Sequence, residues 1–381
     1  MRNLMNLPTE IQLDIITRLP TETILDCKLV CKSWRILVSH RPSFYQMYSS
    51  HLNNSIDSGK SGYLVFSENR KQVYYLQYND NHHDQTPNHS ITRFDLTPPF
   101  TSYHYKVLGS FNGLVCLYGY QNYCICNPMT RESVMLPKFK NDDQYIHYSS
   151  GFGYLPLTNE YKVVEFYKLG REPNFVEAAV YTLGSGEGWR NVGRFDGTGE
   201  VCVEDNVSVN GALHWVDYVG GWIYIFDLTE EKFREHVSPP PLPPDFMWYN
   251  FSIGVYGVDL YYAIRYFCRN TECSWTDIWL QNKKNDDEPL GWSKEFHLLE
   301  SEPLAFTKSG SVLCFSDGSL VIHDAIDSTS EQLMDFTALR QIFPHNNTLV
   351  SLRELGEVDI QVMKSAEDEE TKTPDLPTKH G

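Results

Sequence analysis

The sequence predicts a mainly β protein with a helical N-terminal segment, the β part being a propeller of roughly six blades. Three observations predict it. Short Val/Ile/Tyr-rich runs broken by Gly, Pro, Asn and Asp fill most of the 381 residues, and aromatics make up 14% of the chain, a β-rich usage. A helical period is sustained only near the N-terminus. Between these, one phrase of sequence recurs. Ser110-Phe111-Asn112-Gly113-Leu114-Val115-Cys116-Leu117, followed by Cys124-Ile125-Cys126-Asn127, is echoed by Ser208-Val209-Asn210-Gly211-Ala212-Leu213-His214-Trp215, followed by Ile223-Tyr224-Ile225-Phe226-Asp227. Weaker copies run from Gly254 and Lys308, and a related unit starts at Gly151. The units recur at roughly 40 to 58 residues, near the length of a kelch blade, and about 300 residues at about 50 each give roughly six blades. An array of immunoglobulin-like sandwiches is the rival architecture.

Residues 1–48 read as two or three short amphipathic helices. Pro8 suits a first helical turn, and Ile11, Ile15 and Leu19 follow at intervals of four, which places them on one face. Pro20 stops this helix. Leu25, Leu29, Val30, Trp34, Leu37 and Val38 then recur at three to four, with Lys28, Lys32 and Arg35 between them. Helices this short must bury an apolar stripe to persist, and a segment this small hardly makes its own core, so part of its apolar surface is expected to need another chain. Residues 49–60, SSHLNNSIDSGK from Ser49 on, read as a linker.

Residues 61–363 carry the strand pattern. Asn-Gly supplies the positive φ of a hairpin turn, and Leu349–Leu352 or Val358–Val362 is expected to close the ring, since an open propeller would leave an uncovered edge. Residues 364–381 are polar, contain proline and have no period, which predicts a disordered acidic tail.

The net charge of −17 is unevenly spread: residues 1–60 are +2, leaving −19 for the rest. So acidic a body repels phosphate backbones, which argues against nucleic acid and favours partners with basic surfaces. Nine cysteines without even spacing, no apolar N-terminal run and no stretch near the roughly 18 to 20 apolar residues of a membrane span predict a soluble chain of a reducing compartment, cytoplasmic or nuclear. The five Asn-x-Ser/Thr triplets then carry no meaning as glycan sites.

No catalytic signature, metal site or cofactor site emerges. Cys27 and Cys31 lie four apart on a helix without further ligands nearby, and Cys124 and Cys126 share one strand face, where packing as small hydrophobes is the better reading. Cys268 and Cys273 bracket a turn, and His82-His83-Asp84 sit in a polar loop. Gly184-Ser185-Gly186-Glu187-Gly188 leads from a strand into Trp189, not into a helix, so it is a turn and not a phosphate cradle. With 49 acidic residues, naming a carboxylate pair would be uninformative. Lys28, Lys32 and Arg35 read as a solvated helix face.

The order Leu7-Pro8…Ile11…Ile15…Leu19-Pro20…Leu25…Leu29-Val30-Cys31-Lys32-Ser33-Trp34-Arg35 resembles an F-box. Gly113–Leu117, Asn127-Pro128-Met129-Thr130-Arg131, Gly151-Phe152-Gly153-Tyr154, Tyr161–Val164, Tyr181-Thr182-Leu183, Trp189-Arg190 and Asn210–Trp215 resemble the F-box-associated domain, type 1 and kelch-like, of the large plant F-box family. Leu155-Pro156-Leu157 departs from the Asp-Pro more usual there. The resemblance implies a non-catalytic substrate receptor of an SCF-type E3 ubiquitin ligase, holding a target near a charged E2. Its F-box would dock on a Skp-type adaptor and through it on a cullin and a RING protein, by Leu7, Pro8, Ile11, Ile15, Leu19, Pro20, Leu25, Leu29, Val30 and Trp34 as interface and supporting core. For the target side, aromatic loop residues Tyr218, Trp222, Trp248 and Tyr249 are the candidates, because such residues favour hot spots. Rival functions are a glycan-acting or glycan-binding propeller and an F-box scaffold working outside ubiquitination.

Overall fold

The computed structural model describes residues 7–19, 21–39, 44, 47–48, 60–67, 73–80, 89–94, 105–119, 121–139, 145–170, 172–196, 206–217, 220–241, 248–267, 273–282, 291–324, 329–335 and 339–363. Pro20, Tyr218, Cys268, the His82-His83-Asp84 loop, most of the expected linker and the expected tail lie outside them.

Among the described residues, the helices α1 (Thr9–Thr17), α2 (Thr21–Val30) and α3 (Lys32–Ser39) come first. Pro8 stands just before α1 with φ −52°, and its carbonyl accepts from the Ile11 and Gln12 amides, each at 3.1 Å. Proline is tolerated there because the first amides of a helix have no internal partner. The buried side of α1 is Gln12, Leu13, Ile16 and Thr17, not the expected 11/15/19 face. Leu13 and Ile16 join Ile24, Leu37, Val38, Phe44 and Tyr48 in one cluster.

Among the described residues, twenty-five strands follow, in six antiparallel meanders. Blade 1 holds β1 (Lys60–Ser67), β2 (Val73–Asn79) and β3 (His89–Phe94). Blade 2 holds β4 (Lys106–Phe111), β5 (Leu114–Gly119), β6 (Asn122–Cys126) and β7 (Glu132–Met135). Blade 3 holds β8 (Tyr145–Leu155), β9 (Glu160–Leu169), β10 (Glu172–Thr182) and β11 (Trp189–Asp196). Blade 4 holds β12 (Asn206–Val209), β13 (Ala212–Val216), β14 (Ile223–Asp227) and β15 (Lys232–Phe233). Blade 5 holds β16 (Trp248–Tyr256), β17 (Asp259–Phe267), β18 (Ser274–Asn282) and β19 (Gly291–Leu299). Blade 6 holds β20 (Glu302–Phe306), β21 (Val312–Ser316), β22 (Ser319–His323) and β23 (Ser330–Asp335).

The ring closes through β24 (Leu339–Pro344), which pairs antiparallel with β1 from Tyr63↔Pro344 to Ser67↔Leu339 and completes blade 1. Sequence reasoning placed closure later, at 349–352 or 358–362. Residues 349–352 form no strand, and β25 (Gln361–Val362) adds instead to the outer edge of blade 2 beside β7. Leu339-Arg340-Gln341-Ile342-Phe343-Pro344 hides its role because a terminal proline and two polar residues break the apolar run that marks the other strands. The innermost strands β4, β8, β12, β16, β20 and β24 neighbour one another in a closed circuit.

The core is correspondingly divided. Apolar clusters bridge blades 1 and 2, 2 and 3, 3 and 4, 4 and 5, 5 and 6, and 6 and 1. Each sheet is therefore covered on both faces, and a middle strand such as β9 is buried from Tyr161 through Tyr167. One charge is caught in that strand. Lys162 Nζ meets Glu231 Oε1 at 2.9 Å and the Leu228 carbonyl at 2.9 Å, across the seam to blade 4. Arg190 also pairs with Glu231, so blade 3 grips blade 4 by two cations on one carboxylate. Burial raises the Glu231 pKa, but hydrogen bonds from Arg190 and Lys162 outweigh it and hold the group below its ordinary value.

The two ends of the propeller differ. Turns between first and second and between third and fourth strands fall at one end. There the repeated Gly serves: Asn112 and Gly113 have φ +47° and +82°, and Asn210 and Gly211 +51° and +71°, as two-residue hairpins require. A strap, residues 345–363, crosses this end over blades 2 and 3. The Asn127 amide donates to the Thr348 and Val350 carbonyls, Thr348 Oγ1 donates to the Asn112 carbonyl at 2.6 Å, and the Leu352 amide donates to Glu132. Glu357 accepts from the Gly184 amide at 2.7 Å, inside the predicted glycine turn. A Cβ on Gly113 would overlap the Thr348 hydroxyl. Leu349 leaves the strap for the helical cluster, where it is fully buried, and Thr21 Oγ1 donates to the Asn347 carbonyl at 3.0 Å. The helices thus complete their core with a residue of the same chain, about 330 positions away, on the strap end of the propeller.

Candidate functional site

Once the helical cluster is closed by Leu349, one apolar set of the helices is left over. Leu7, Ile11 and Ile15 are 39%, 49% and 38% exposed, and Val30 and Ile36 more so at 65% and 54%. On α1 the spacing of four sets Ile11 above Ile15 on one side, and the Gln12 side-chain amide, donating to the Leu7 carbonyl at 2.7 Å, keeps Leu7 beside them. Pro8 is exposed, Leu19 and Leu25 are half-buried at the edge of the cluster, and Trp34 on α3 is half-buried. The Leu29 side chain lies outside the described set. Lys32 and Arg35 are exposed, as a solvated face requires. Single exposed apolar residues are ordinary, but four on three short helices, with Leu7 just before the first, beside a finished core, present surface that gains by being covered.

Cys31 differs from its expected packing. It is exposed in the link between α2 and α3, its carbonyl accepting from the Arg35 amide at 3.0 Å, whereas Cys27 is buried. The apolar spacing across 25–38 hid this helix break. Cys124 and Cys126 do pack as small hydrophobes between blades 1 and 2. Among the described residues, no group of three or more His, Cys, Asp or Glu is arranged to hold a metal ion.

The opposite, distal end of the propeller carries the turns between second and third strands and the crossings between blades. Trp222 lies there, in the β13–β14 turn. This turn is stiffened by its own hydrogen bonds: the Asp217 amide donates to the Trp222 carbonyl, the Gly221 amide to the Asp217 carbonyl at 2.7 Å, and the Gly220 amide to Asp217 Oδ2. The Tyr262 hydroxyl donates to the Gly221 carbonyl at 3.0 Å, tying the turn to blade 5. Trp222 sits edge-on to His236 at 4.9 Å and remains 39% exposed. Trp248 and Tyr249 open β16 at the same end, Trp248 opposite Tyr266, and their side chains lie outside the described set. Three of the four aromatic positions thus sit at this end, and Tyr218 lies outside the described residues.

Sequence reasoning missed a buried polar pair near this end. His147 Nδ1 lies 2.7 Å from Glu165 Oε1, under the stacked ring of Tyr118 at 4.6 Å. Burial holds the His147 pKa down at about 4 and pushes the Glu165 carboxyl well up, so burial disfavours the charged form of each. Glu165 sits amid a run of apolar strand residues, and nothing local in the sequence marks its distant partner. Between blades 5 and 6 a small crevice is lined by Asn250, Ser252, Arg265, Thr276 and Glu302, with Arg265 Nη1 3.4 Å from Glu302 Oε2.

Comparison with known proteins follows this division. Residues 4–49 match the family described as F-box-like, and residues 63–315 the F-box associated beta propeller domain. The matched propeller family is the third F-box-associated type, not the first type that the motifs suggested. Similar curated proteins come from Arabidopsis thaliana. Putative F-box protein At3g10430 is 28% identical over 62% of this chain and 62% of its own length. Putative F-box protein At3g52320 is 28% identical over 49% and 46%, so the chain spans about half to two thirds of these two relatives. F-box protein At1g30790 is 24% identical over 76% of this chain and 74% of its own. Among solved structures, a chain of the nidogen/laminin complex is similar at TM-score 0.41 and 11% identity, over 76% of this chain and 99% of that one. Among the described residues, no helix is long and apolar enough to cross a membrane.

Proposed function

Because the chain belongs to the F-box proteins that carry an F-box associated β-propeller domain, we propose that it is the substrate receptor of an SCF-type E3 ubiquitin ligase. The observation that carries this reading is the leftover apolar face of Leu7, Ile11, Ile15 and Val30, exposed while Leu13, Ile16, Ile24, Leu37 and Val38 fill the core. A Skp-type adaptor covers this face, with Leu19 and Leu25 supporting it from the edge of the cluster and Trp34 adding to it from α3, and links the chain to a cullin and a RING protein. The distal end of the propeller, with Trp222 and the neighbouring aromatic positions 218, 248 and 249, takes the target protein. The receptor performs no bond chemistry and acts by raising the effective concentration of the target near the charged E2.

Co-expression with a tagged Skp-type adaptor tests this. Wild-type protein is expected to co-purify with the adaptor, and L7A/P8A protein to be lost from the complex while unfolding at the wild-type temperature. Retention of the folded variant at wild-type strength would sink the proposal.

A further inference from the structure

The distal end is not uniform, and its chemistry specifies what it can hold. Beside Trp222 on blade 4, blade 5 exposes Phe267, 39%, and Leu299, 70%. These two flank Ser274: Phe267 pairs with it, and the amide after Leu299 donates to its carbonyl at 3.0 Å. Carboxylates rim the same arc. Glu235 precedes His236, which meets the Trp222 ring; Glu300 follows Leu299; and Asp317 occupies the neighbouring turn of blade 6, where Ser316 Oγ donates to the Glu300 carbonyl at 3.2 Å. All three carboxylates are exposed. Among the described residues, the cations Arg265 and Arg234 are matched by Glu302 and Asp227.

Resting on the receptor reading, we propose that the arc of blades 4 to 6 binds a short segment of the target in which aromatic or aliphatic side chains alternate with Lys or Arg. The apolar side chains cover Trp222, Phe267 and Leu299, and the cations meet Glu235, Glu300 and Asp317. The −19 charge of the chain beyond residue 60 draws such a segment in and repels an acidic one. The hydrogen bonds that hold Gly220, Gly221 and Trp222 to Asp217 matter because a side chain already held in place loses little freedom on binding.

The test uses the full chain and a fluorescein-labelled peptide in which Phe and Leu alternate with Lys, with two controls: Glu in place of Lys, and Ser in place of Phe and Leu. Saturable binding of the Lys peptide is expected, with at least about tenfold weakening in each control. W222A/F267S protein is expected to lose about tenfold or more, and E235K/E300K protein to lose affinity and much of its salt dependence. No saturable binding of the Lys peptide, equal binding of the Glu peptide, or unchanged affinity of W222A/F267S protein overturns the proposal. Adaptor co-purification of the same variants is read in parallel. It stays at the wild-type level whichever way the peptide result falls, and its loss in wild-type protein reports failure of the receptor reading instead.

Discussion

Replacing Leu349 by Ala isolates the joint between helices and propeller. Leu349 is fully buried against Leu13, Ile16, Ile24, Leu37, Val38, Phe44 and Tyr48, yet it belongs to the strap, which is anchored independently by Asn127, Glu132 and Thr348. Full burial of a leucine contributes about 1.5–3 kcal/mol, and the cavity left behind raises the cost of Leu→Ala to about 2–5 kcal/mol. A loss of about 3 kcal/mol is roughly a hundredfold in the opening equilibrium, and it should fall on the helices, whose segment is too small to hold together alone. Hydrogen exchange followed by mass spectrometry reads this directly. Amides of α1, α2 and α3 in L349A protein are expected to exchange roughly a hundredfold faster, with those of β9 and β17 unchanged. Unchanged exchange in the helices, or equal acceleration in β9, would refute the idea that the strap completes the helical core.

Other outcomes follow from the same structure. G113A protein should unfold at lower urea by roughly 1–3 kcal/mol, because Ala is strained at φ +82° and its methyl displaces Thr348; a wild-type midpoint would count against the seating of the strap. E231Q protein leaves buried Lys162, as carboxylate partner, only the longer, half-exposed contact to Glu160 at 3.6 Å and should lose roughly 1–3 kcal/mol in the same experiment, whereas a loss below about 0.5 kcal/mol would show that the seam between blades 3 and 4 does not depend on Glu231. Stability should also fall on acidification. Burial lowers the pKa of His214 to about 4 and of His345 to about 3, so between the ordinary 6.5 and those values the unfolded chain binds more protons. The contribution is complete above about pH 6.5 and is lost as the pH drops toward 4; Glu165, raised by burial, acts in the opposite sense. Urea midpoints from pH 7.5 to 4.5 should decline for wild type and less steeply for H214Q protein, and parallel slopes would contradict this.

The propeller was legible because its signals are local. Asn112-Gly113 and Asn210-Gly211 mark the same turn in blades 2 and 4, and the strand runs between such turns give the blade count directly. Closure was not, since β24 is recognised only by the partner it finds at the other end of the chain. The same holds for Leu349, whose value depends on helices more than 300 residues earlier, and for the His147–Glu165 pair across two strands. On α1 the period located the helix but not which side is buried. Ile11 and Ile15 formed the obvious stripe, and the chain instead buries Leu13 and Ile16. That reversal left the stripe at the surface, where a binding face is needed.

The most direct test is calorimetric titration of a purified Skp-type adaptor into the full chain and into I11D/I15D protein. Both positions are exposed, so the variant should unfold at the wild-type midpoint. The wild type is expected to bind with one-to-one stoichiometry, and the variant at least about a hundredfold more weakly, as expected when carboxylates replace the centre of an apolar interface. Equal affinity for wild type and folded variant, or no binding by wild type, would contradict the assignment of this face to the adaptor.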